Sequence, residues 1–350
     1  MTRLLTLLAV VVLALAGCSS NDDSPKSEES QLPSGWVEDD VTFSADGFTI
    51  HGTYRHRQDA SPGPAALLIS ESGATDRNGD NAVAGPVGNM RQLAEYLSDK
   101  GIATLRYDKA GTGKTGYGPY EKRKGDVGSA VNTGVARAAA AFLADQQATD
   151  KARISVYGLG EGTVYALTLA GDPAGGPAIH SLGLLQPLSG RYLDIITNRV
   201  RISVEADVKA GAKTQQQADD VLNAWGAAVD EARTKGTAPK QLPEGLSAVL
   251  NPGNVKVVVE ADAIDPLALA AKVAPGTPVL VSCSDADAQA TCLSEQPLAD
   301  ALAHMALTFV QLKGVSHVLR DDPTDSVANY AKQDPLSPQL ISALDGFVGK

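Results

Sequence analysis

The fold of this chain is decided by the stretch Ile154-Ser155-Val156-Tyr157-Gly158-Leu159-Gly160-Glu161-Gly162. Its pattern is a buried strand, a sharp glycine turn and a helix start, the layout of the G-x-S-x-G nucleophile elbow. In that motif the flanking glycines make room for a tight backbone, and the residue after the serine contributes an N–H group to an oxyanion hole. Here Gly158 and Gly162 are present, but the middle position is Gly160. The sequence therefore has the surroundings of a nucleophilic serine without the serine.

Strand and helix patterns alternate on both sides of this stretch. Ala65 to Ser70 is a continuous apolar run, as expected of a strand buried on both faces. Val87 to Lys100 has apolar residues at helical spacing and ends at Gly101, a typical helix C-cap. A hairpin pattern precedes them between residues 40 and 54. This order predicts an α/β fold, with a mostly parallel twisted sheet covered by helices on both faces.

The alternation stops between residue 189 and about residue 262. A polar helical pattern, as in Thr214 to Thr234, takes its place. The alternation resumes with a helix at Pro266, for which Asp265 is the expected N-cap. We therefore predict one domain over residues 38–350, with a helical cap inserted at about 189–262 over the carboxyl edge of the sheet.

The N-terminal residues predict export and lipid attachment. An apolar run from Leu4 to Leu15 follows Arg3 and leads to Ala16-Gly17-Cys18. The run is short for a membrane span and ends in small residues, which is typical of an export signal. It resembles a bacterial lipoprotein signal, whose cysteine becomes the lipidated first residue. We predict a signal peptide over residues 1–17, a flexible tether over residues 18–37 and a location at the cell membrane, on its extracytoplasmic face. An ordinary secretory signal is the alternative.

Composition and incomplete motifs exclude several partners. The net charge is −11 and no basic run is present, which argues against nucleic acid. Gly111 to Thr115 ends like a phosphate-binding P-loop, but the glycine required before Gly113 is Asp108. Asp76 to Asp80 resembles a calcium loop, yet its glycine is in the wrong place. We predict neither a cofactor nor a metal ion.

Two further loops follow predicted core strands. Ser284 to Gln289 follows one strand and contains Asp287, and Lys313 to His317 follows the last one. In an open parallel sheet, functional side chains collect in the loops at the carboxyl ends of the strands. Nucleophile, acid and histidine follow one another along the chain in α/β-hydrolases, and the order here is Gly160, Asp287, His317.

A family resemblance rests on five ordered segments. They are Ser72–Gly79, Tyr107–Thr115, Gly158–Gly162, Ser284–Asp287 and Gly314–His317. They resemble the motifs of the α/β-hydrolase superfamily, and of its bacterial esterase and peptidase-like branch in particular. Members of that branch read G-S-G-x-x-D-R-x-G, Y-D-x-R-G-x-G-x-S, G-H-S-E-G, a strand ending in G-x-x-D, and G-x-x-H. The resemblance spans roughly residues 47–350 and implies an α/β-hydrolase fold of esterase ancestry.

Position by position, the resemblance implies a nucleophile at Gly160, an acid at Asp287 and a general base at His317. It also implies that Ser72 and Gly73 lie on the oxyanion side of the pocket, with backbone N–H groups directed into it. Two of three triad positions are thus retained. The alternatives are that Asp287 only caps its loop and that His317 is a surface histidine.

The missing serine leaves two functions open. The first hypothesis is a non-catalytic descendant that binds a small molecule, lipid or peptide in the pocket, since loss of the nucleophile costs on the order of 10⁶ in turnover. The second is a carboxylic-ester or peptide hydrolase with a displaced nucleophile, such as Glu161, or with a water activated by His317 and Asp287. If the remaining machinery is intact, we expect Gly160→Ser to gain ester hydrolysis.

Two cysteines flank the loop that holds Asp287. With Cys18 lipidated, Cys283 and Cys292 are the remaining pair in an exported protein, so we expect a disulfide between them. Such a bond would make the loop around Asp287 more rigid. Two reduced cysteines are the alternative.

Overall fold

The computed structural model describes residues 35–172, 175–287 and 289–349. The predicted signal peptide over residues 1–17, the lipidation site Cys18 and the tether up to residue 34 lie outside the described residues.

The described strands form one eight-stranded sheet in the order β1-β2-β4-β3-β5-β6-β7-β8. The strands are β1 (Trp36–Ala45), β2 (Phe48–Arg57), β3 (Gly63–Ile69), β4 (Ala103–Tyr107), β5 (Thr149–Gly160), β6 (Ser181–Pro187), β7 (Pro278–Ser284) and β8 (Ala306–Leu312). β2 pairs antiparallel with both β1 and β4, whereas the other neighbouring strands pair parallel. The predicted mostly parallel sheet is confirmed.

Helices cover the sheet on both faces. They are α1 (Asn89–Asp99), α2 (Ser129–Ala144), α3 (Gly162–Gly171), α4 (Tyr192–Lys209), α5 (Gln215–Lys235), α6 (Val255–Asp262), α7 (Pro266–Ala270), α8 (Cys292–Ala301), α9 (Val327–Tyr330) and α10 (Pro338–Asp345). α2, α3, α7 and α8 contribute to the apolar cluster on one face, and α1 and α10 contribute to the cluster on the other. Both clusters exclude water from the parallel strands, as expected of a sheet buried on both sides.

The first strand begins earlier than the predicted domain boundary at residue 38. β1 starts at Trp36, which pairs with Arg57 across the hairpin. The guanidinium of Arg57 also lies over the Trp36 ring, 5.7 Å from its centroid. This cation–π contact extends the hairpin by two residues into the segment that composition alone assigned to the tether.

Residues 189–262, which we call the cap, contain α4, α5 and α6. Their apolar side chains form a cluster of their own, in which Trp225 is fully buried. Asp262, at the end of α6, is buried and accepts hydrogen bonds from Arg191 (3.0 Å) and Arg233 (2.8 Å). The cap therefore has its own packed interior and its own ion pairs, in which the buried Asp262 meets two partly exposed arginines. Among the described helices, none has the length and apolar content needed to cross a membrane.

Candidate active site

The turn between β5 and α3 has the geometry of a nucleophile elbow. Gly160 ends β5 with a φ of +53°, in the left-handed region, and α3 begins at Gly162. A Cβ atom at Gly158 would overlap the backbone of Gly162, so the close approach at this turn depends on glycine. The hydroxyl of Thr163 donates to the carbonyl of Gly160 (2.6 Å) and fixes the turn from inside. The turn is thus built as the sequence predicts. Its tip, which we call the vertex, is Gly160 and has no side chain.

The acid and the histidine meet at the carboxyl ends of β7 and β8. Oδ2 of Asp287 lies 2.7 Å from Nδ1 of His317. Asp287 is 0% and His317 is 3% exposed. The other oxygen of Asp287 accepts backbone N–H bonds from Gln289 (2.7 Å) and Ala290 (3.1 Å). Asp287 therefore caps its loop and orients His317 at the same time, and His317 is not a surface histidine.

The third position is filled by Glu71, which lies two residues after the end of β3. Oε2 of Glu71 bonds to Nε2 of His317, on the opposite side of the ring from Asp287. A Cβ atom built on Gly160 would overlap this same oxygen. The structure thus brings together an Asp287–His317–Glu71 arrangement in which a carboxylate oxygen lies where a serine side chain would lie.

Glu71 also uses the oxyanion side of the site. Its Oε1 accepts the backbone N–H of Ser72 (3.0 Å) and the hydroxyl of Ser72 (2.6 Å). The N–H group of Ser72, which the family resemblance implies is directed into the pocket, is therefore already bonded to Glu71. Gly73 lies next in this exposed loop with a φ of +67°. One oxygen of the Glu71 carboxylate therefore lies at the vertex, and the other accepts a hydrogen bond from a backbone N–H group on the oxyanion side.

A buried lysine fixes the backbone of the loop that carries Glu71. Nζ of Lys109 donates to the hydroxyl (2.8 Å) and the carbonyl (3.2 Å) of Ser70, to the carbonyl of Thr75 (3.3 Å) and to the carbonyl of Glu71. Lys109 is 2% exposed. Since each end of the loop is bonded to one ammonium group, the position of Glu71 is determined by the fold.

Charges decide the protonation states of this cluster. Burial disfavours the charged imidazole, but the negative charges of Glu71 and Asp287 outweigh it and raise the pKa of His317 well above its ordinary value. Burial likewise works against the carboxylate of Glu71, yet the charge of His317 and the bonds from Ser72 lower its pKa to about 2. Both shifts favour the charged forms, an imidazolium at His317 and a carboxylate at Glu71.

The predicted disulfide is present. Cys283 near the end of β7 is bonded to Cys292 at the start of α8, and Asp287 lies in the loop that the bond closes. The bond holds both ends of this loop against the sheet edge.

A cavity of about 460 Å³ lies between the cap and the carboxyl edge of the sheet. The sheet side contributes Glu71, Glu161 and Tyr165, and the cap contributes Tyr192, Ile196 and Val258. Glu161 is the N-cap residue of α3 and accepts a hydrogen bond from the hydroxyl of Tyr165 (3.2 Å). Burial and the neighbouring charge of Glu71 raise the pKa of Glu161, against the opposing charge of Lys109. Glu161, which the sequence suggested as a possible displaced nucleophile, thus lines the cavity, and the ring nitrogens of His317 bond to Asp287 and Glu71 instead.

The described residues contain no group of three or more histidine, cysteine or acidic side chains placed to hold a metal ion. The acidic stretch Asp76–Asp80 instead forms a closed turn, in which Oδ1 of Asp76 accepts the N–H groups of Asn78 (2.7 Å) and Asp80 (3.1 Å).

Glu71 is the functional residue that the sequence interpretation missed. A signal for it exists in the motif G-S-G-x-x-D-R-x-G, because the position before Ser72 is glycine in that pattern and Glu71 in this chain. Compared with the motifs that the sequence resembles, the chain has a carboxylate in place of one glycine and a glycine in place of the serine, and a Cβ atom at Gly160 would overlap that carboxylate. Neither change alone indicates that the two positions are in contact.

No family model matches the chain. Over 144 residues it is 31% identical to an uncharacterised protein of Mycobacterium tuberculosis strain H37Rv, and equally so to one of strain CDC 1551. This region is 41% of the chain and 44% of each relative, so the chain spans less than half the length of the curated relatives it matches.

Solved structures with similar folds include esterases. The Pyrococcus furiosus esterase Pf2001 has a TM-score of 0.53 at 14% identity, covering 90% of this chain and 92% of the esterase. Est1E from Butyrivibrio proteoclasticus, with ferulic acid bound, has a TM-score of 0.52 at 15% identity, covering 83% and 96%. The α/β-hydrolase GrgF from Penicillium has a TM-score of 0.50 at 16% identity, covering 80% and 91%. The chain has the α/β-hydrolase fold.

Proposed function

We propose that this protein is a non-catalytic α/β-hydrolase-fold protein of esterase ancestry that binds a small molecule in the cavity between cap and sheet. One observation supports the loss of catalysis above all others: the carboxylate of Glu71 is bonded to Nε2 of His317 beside Gly160. A serine hydrolase forms an oxyanion on its substrate and releases a carboxylate product. In this protein the carboxylate of Glu71 already lies in that place.

The arrangement opposes acyl transfer at each step. A serine hydrolase needs a hydroxyl group at the vertex and a neutral Nε2 that accepts its proton. Here no hydroxyl is attached at Gly160, and Nε2 of the charged His317 donates to Glu71. An incoming carbonyl oxygen would also compete with Oε1 of Glu71 for the N–H group of Ser72. Serine hydrolases that lack the nucleophile keep a rate enhancement of only about 10³ to 10⁴ over the reaction in water.

The retained pair Asp287–His317, at 2.7 Å, supports a second candidate, a hydrolase with a displaced nucleophile or an activated water. Glu71 is the group closest to the vertex in such a mechanism. The protonated state of His317 argues against it, because a cationic imidazole cannot remove a proton from water.

Fluorophosphonate labelling and a panel of p-nitrophenyl esters distinguish the two candidates. We expect neither a covalent phosphonyl adduct nor ester turnover above that of the heat-denatured protein. Ser72 is the control position, because its hydroxyl donates to Glu71 beside the vertex. A stoichiometric adduct on any serine that lines the cavity, or turnover that Ser72→Ala abolishes, would refute the non-catalytic role.

We further propose that the protein is an exported lipoprotein, held at the outer face of the cell membrane by a lipid on Cys18. The support is the apolar run from Leu4 to Leu15 and the small residues before Cys18. Phase partition of the full chain from a bacterial host tests this, with Cys18→Ala as the matched variant. We expect the wild type in the detergent phase and the variant in the aqueous phase; equal partition of both would contradict the anchor.

A further inference from the structure

The cavity has an apolar wall and a polar floor that carries two carboxylates. Ile196 and Val258 face it from the cap, and Glu71 and Glu161 face it from the loops at the sheet edge. The volume of about 460 Å³ falls within the range of small-molecule sites. A ligand that suits both surfaces has a short apolar body and one polar end.

Glu161 is the acidic side chain of this floor that has no cation bonded to it. Within the described residues its only hydrogen bond comes from the hydroxyl of Tyr165 at 3.2 Å, and no lysine, arginine or histidine forms an ion pair with it. Glu71, by contrast, is bonded to the charged His317. Glu161 is half-buried, and a carboxylate that is partly withdrawn from water without a cationic partner is costly; a ligand cation would remove that cost.

The nearby cations have other partners. Nζ of Lys109 donates to the oxygens of Ser70, Glu71 and Thr75, and it influences Glu161 only through space. At the rim, Lys124 pairs with Glu121 at 2.7 Å. Arg199 donates to the side chain of Gln289 at 3.2 Å. None of them supplies the missing contact to Glu161.

Aromatic rings add to the preference for a positive charge. Nζ of Lys124 already lies over the ring of Tyr117, 4.9 Å from its centroid, at the edge of the same cavity. Tyr192 of the cap and Tyr165 of α3 also line it. The negative charge of Glu161 reaches both of these rings, and together with burial it raises their pKa values. Tyrosine faces beside a carboxylate are favourable surroundings for an ammonium group.

We propose that the cavity binds a protonated organic amine with a short apolar body, whose ammonium group bonds to Glu161 and whose body packs against the apolar wall of the cap. This assignment rests on the proposed binding function and names its ligand class. It places the charged end at the start of α3 and the carbon chain under α4 and α6.

Three probes of equal length test the class: hexylamine, hexan-1-ol and hexanoate, titrated calorimetrically into the full-length protein at pH 7.5. A hydrogen bond to a charged group contributes about 1.5–3 kcal/mol, which corresponds to roughly a tenfold to a hundredfold gain in affinity. We therefore expect hexylamine to bind at least about tenfold more tightly than hexan-1-ol, and hexanoate to bind most weakly.

The matched variants are Glu161→Gln and Asp220→Asn. Glu161→Gln should bring the affinity for hexylamine down to that for hexan-1-ol, whose own affinity should change little. Asp220 is an exposed acid on α5 that accepts a bond from Gln216, so its substitution controls for unspecific attraction by the net charge of −11. If Glu161→Gln does not fold, Ile196→Trp serves instead, because a large ring on the cap wall should weaken binding of all three probes.

The outcomes distinguish a failure of the amine assignment from a failure of the proposed binding function. Equal or tighter binding of hexan-1-ol or hexanoate would overturn the amine class and leave a small-molecule site standing. Tight hexylamine binding that survives both Glu161→Gln and Ile196→Trp would place the amine elsewhere and overturn the proposal. No binding of any probe would overturn both this inference and the proposed binding function.

Discussion

The two halves of the candidate site differ in how closely they match the catalytic groups of a serine hydrolase. At the ends of β7 and β8, Asp287 and His317 are buried and bonded at 2.7 Å, as in a catalytic acid–base pair. At the ends of β3 and β5, Glu71 and Gly160 put a carboxylate where the alcohol would be. The comparison teaches that the difference from a serine triad is confined to one vertex, where the carboxylate of Glu71 fills the space and favours the charged form of His317.

The pair of Asp287 and His317 has a structural role that does not depend on catalysis. A buried Glu71 needs a cation, and His317 is a cation because Asp287 and Glu71 flank it on both sides. Removing one partner of a buried charge network leaves another charge without compensation, which is strongly destabilising. The acid–base pair therefore serves as the counter-charge of Glu71, and retention of Asp287 and His317 does not by itself indicate turnover.

The largest effect is expected from restoring the vertex. Glu71→Gly combined with Gly160→Ser removes the carboxylate and supplies the alcohol, with His317 free to act as base. We expect the double variant to hydrolyse p-nitrophenyl butyrate at least about 10³-fold faster than the wild type, a fraction of the roughly 10⁶ that a complete triad contributes. Steady-state kinetics measures the gain.

The single variants sharpen this test and revise the expectation from sequence. A side chain at residue 160 would overlap Oε2 of Glu71, so Gly160→Ser alone should stay at least about tenfold below the double variant. Circular dichroism confirms that each variant is folded. If Gly160→Ser alone equals the double variant, Glu71 does not block the vertex; a folded but inactive double variant would mean that the acid–base half is no longer competent.

The next effect concerns the charge of His317. Glu71→Gln keeps the shape of the side chain and removes its charge, so the pKa of His317 should fall from its raised value. NMR titration of the imidazole measures this, with His317→Gln used to assign the signal. An unchanged His317 pKa in Glu71→Gln would show that Asp287 alone sets the charge.

The same pair gives stability a pH dependence. The pKa of Glu71 is lowered to about 2, so its contribution is present above the unfolded value of about 4.3 and is lost as pH falls towards 2. The pKa of His317 is raised, so its contribution is complete below the unfolded value of about 6.5 and is lost as pH rises through the folded value. Between about pH 4.3 and 6.5, Glu71→Gln should cost roughly 3 kcal/mol in denaturant unfolding. A cost that is the same at pH 2.5 would contradict this account.

The smallest effect on stability is expected from opening the disulfide-closed loop that carries Asp287. Replacing Cys283 and Cys292 by serine opens a loop with a sequence separation of 9 residues. The chain-entropy model gives a loss of about 2–3 kcal/mol in the free energy of unfolding. Equilibrium unfolding at pH 6 measures it, and the reduced wild type is the control for the serine substitutions. Equal stability of the oxidised and reduced protein would show that the disulfide does not constrain the acid half.

Much of the scaffold could be predicted from sequence because its signals are local. The apolar run of β3, the glycines around Gly160 and the cysteines flanking Asp287 each specify structure within a few residues. The order Gly160, Asp287, His317 then places three loops at one sheet edge. The contact between Asp287 and His317 follows from that order and the fold.

Glu71 could not be placed in the same way. Its position depends on the bonds from Lys109 to both ends of the β3 loop, and Lys109 comes from a different strand end. Its charge state depends on His317, which is 246 residues away in the chain. The cavity depends on how α4 and α6 lie over the sheet, which periodicity does not specify. Interactions that join distant segments are therefore what the sequence interpretation lacked.

The separate apolar interior of the cap has a consequence for how such proteins diversify. Trp225 and its neighbours stabilise α4, α5 and α6 without sharing side chains with the clusters that support the strands. Substitutions at Ile196 or Val258 can therefore reshape the wall of the cavity while the strands keep their packing. The shape of the cavity and the stability of the sheet are free to evolve at different rates in this chain, and homologues with the same Glu71–Gly160 pair are expected to differ most in the residues of α4 and α6.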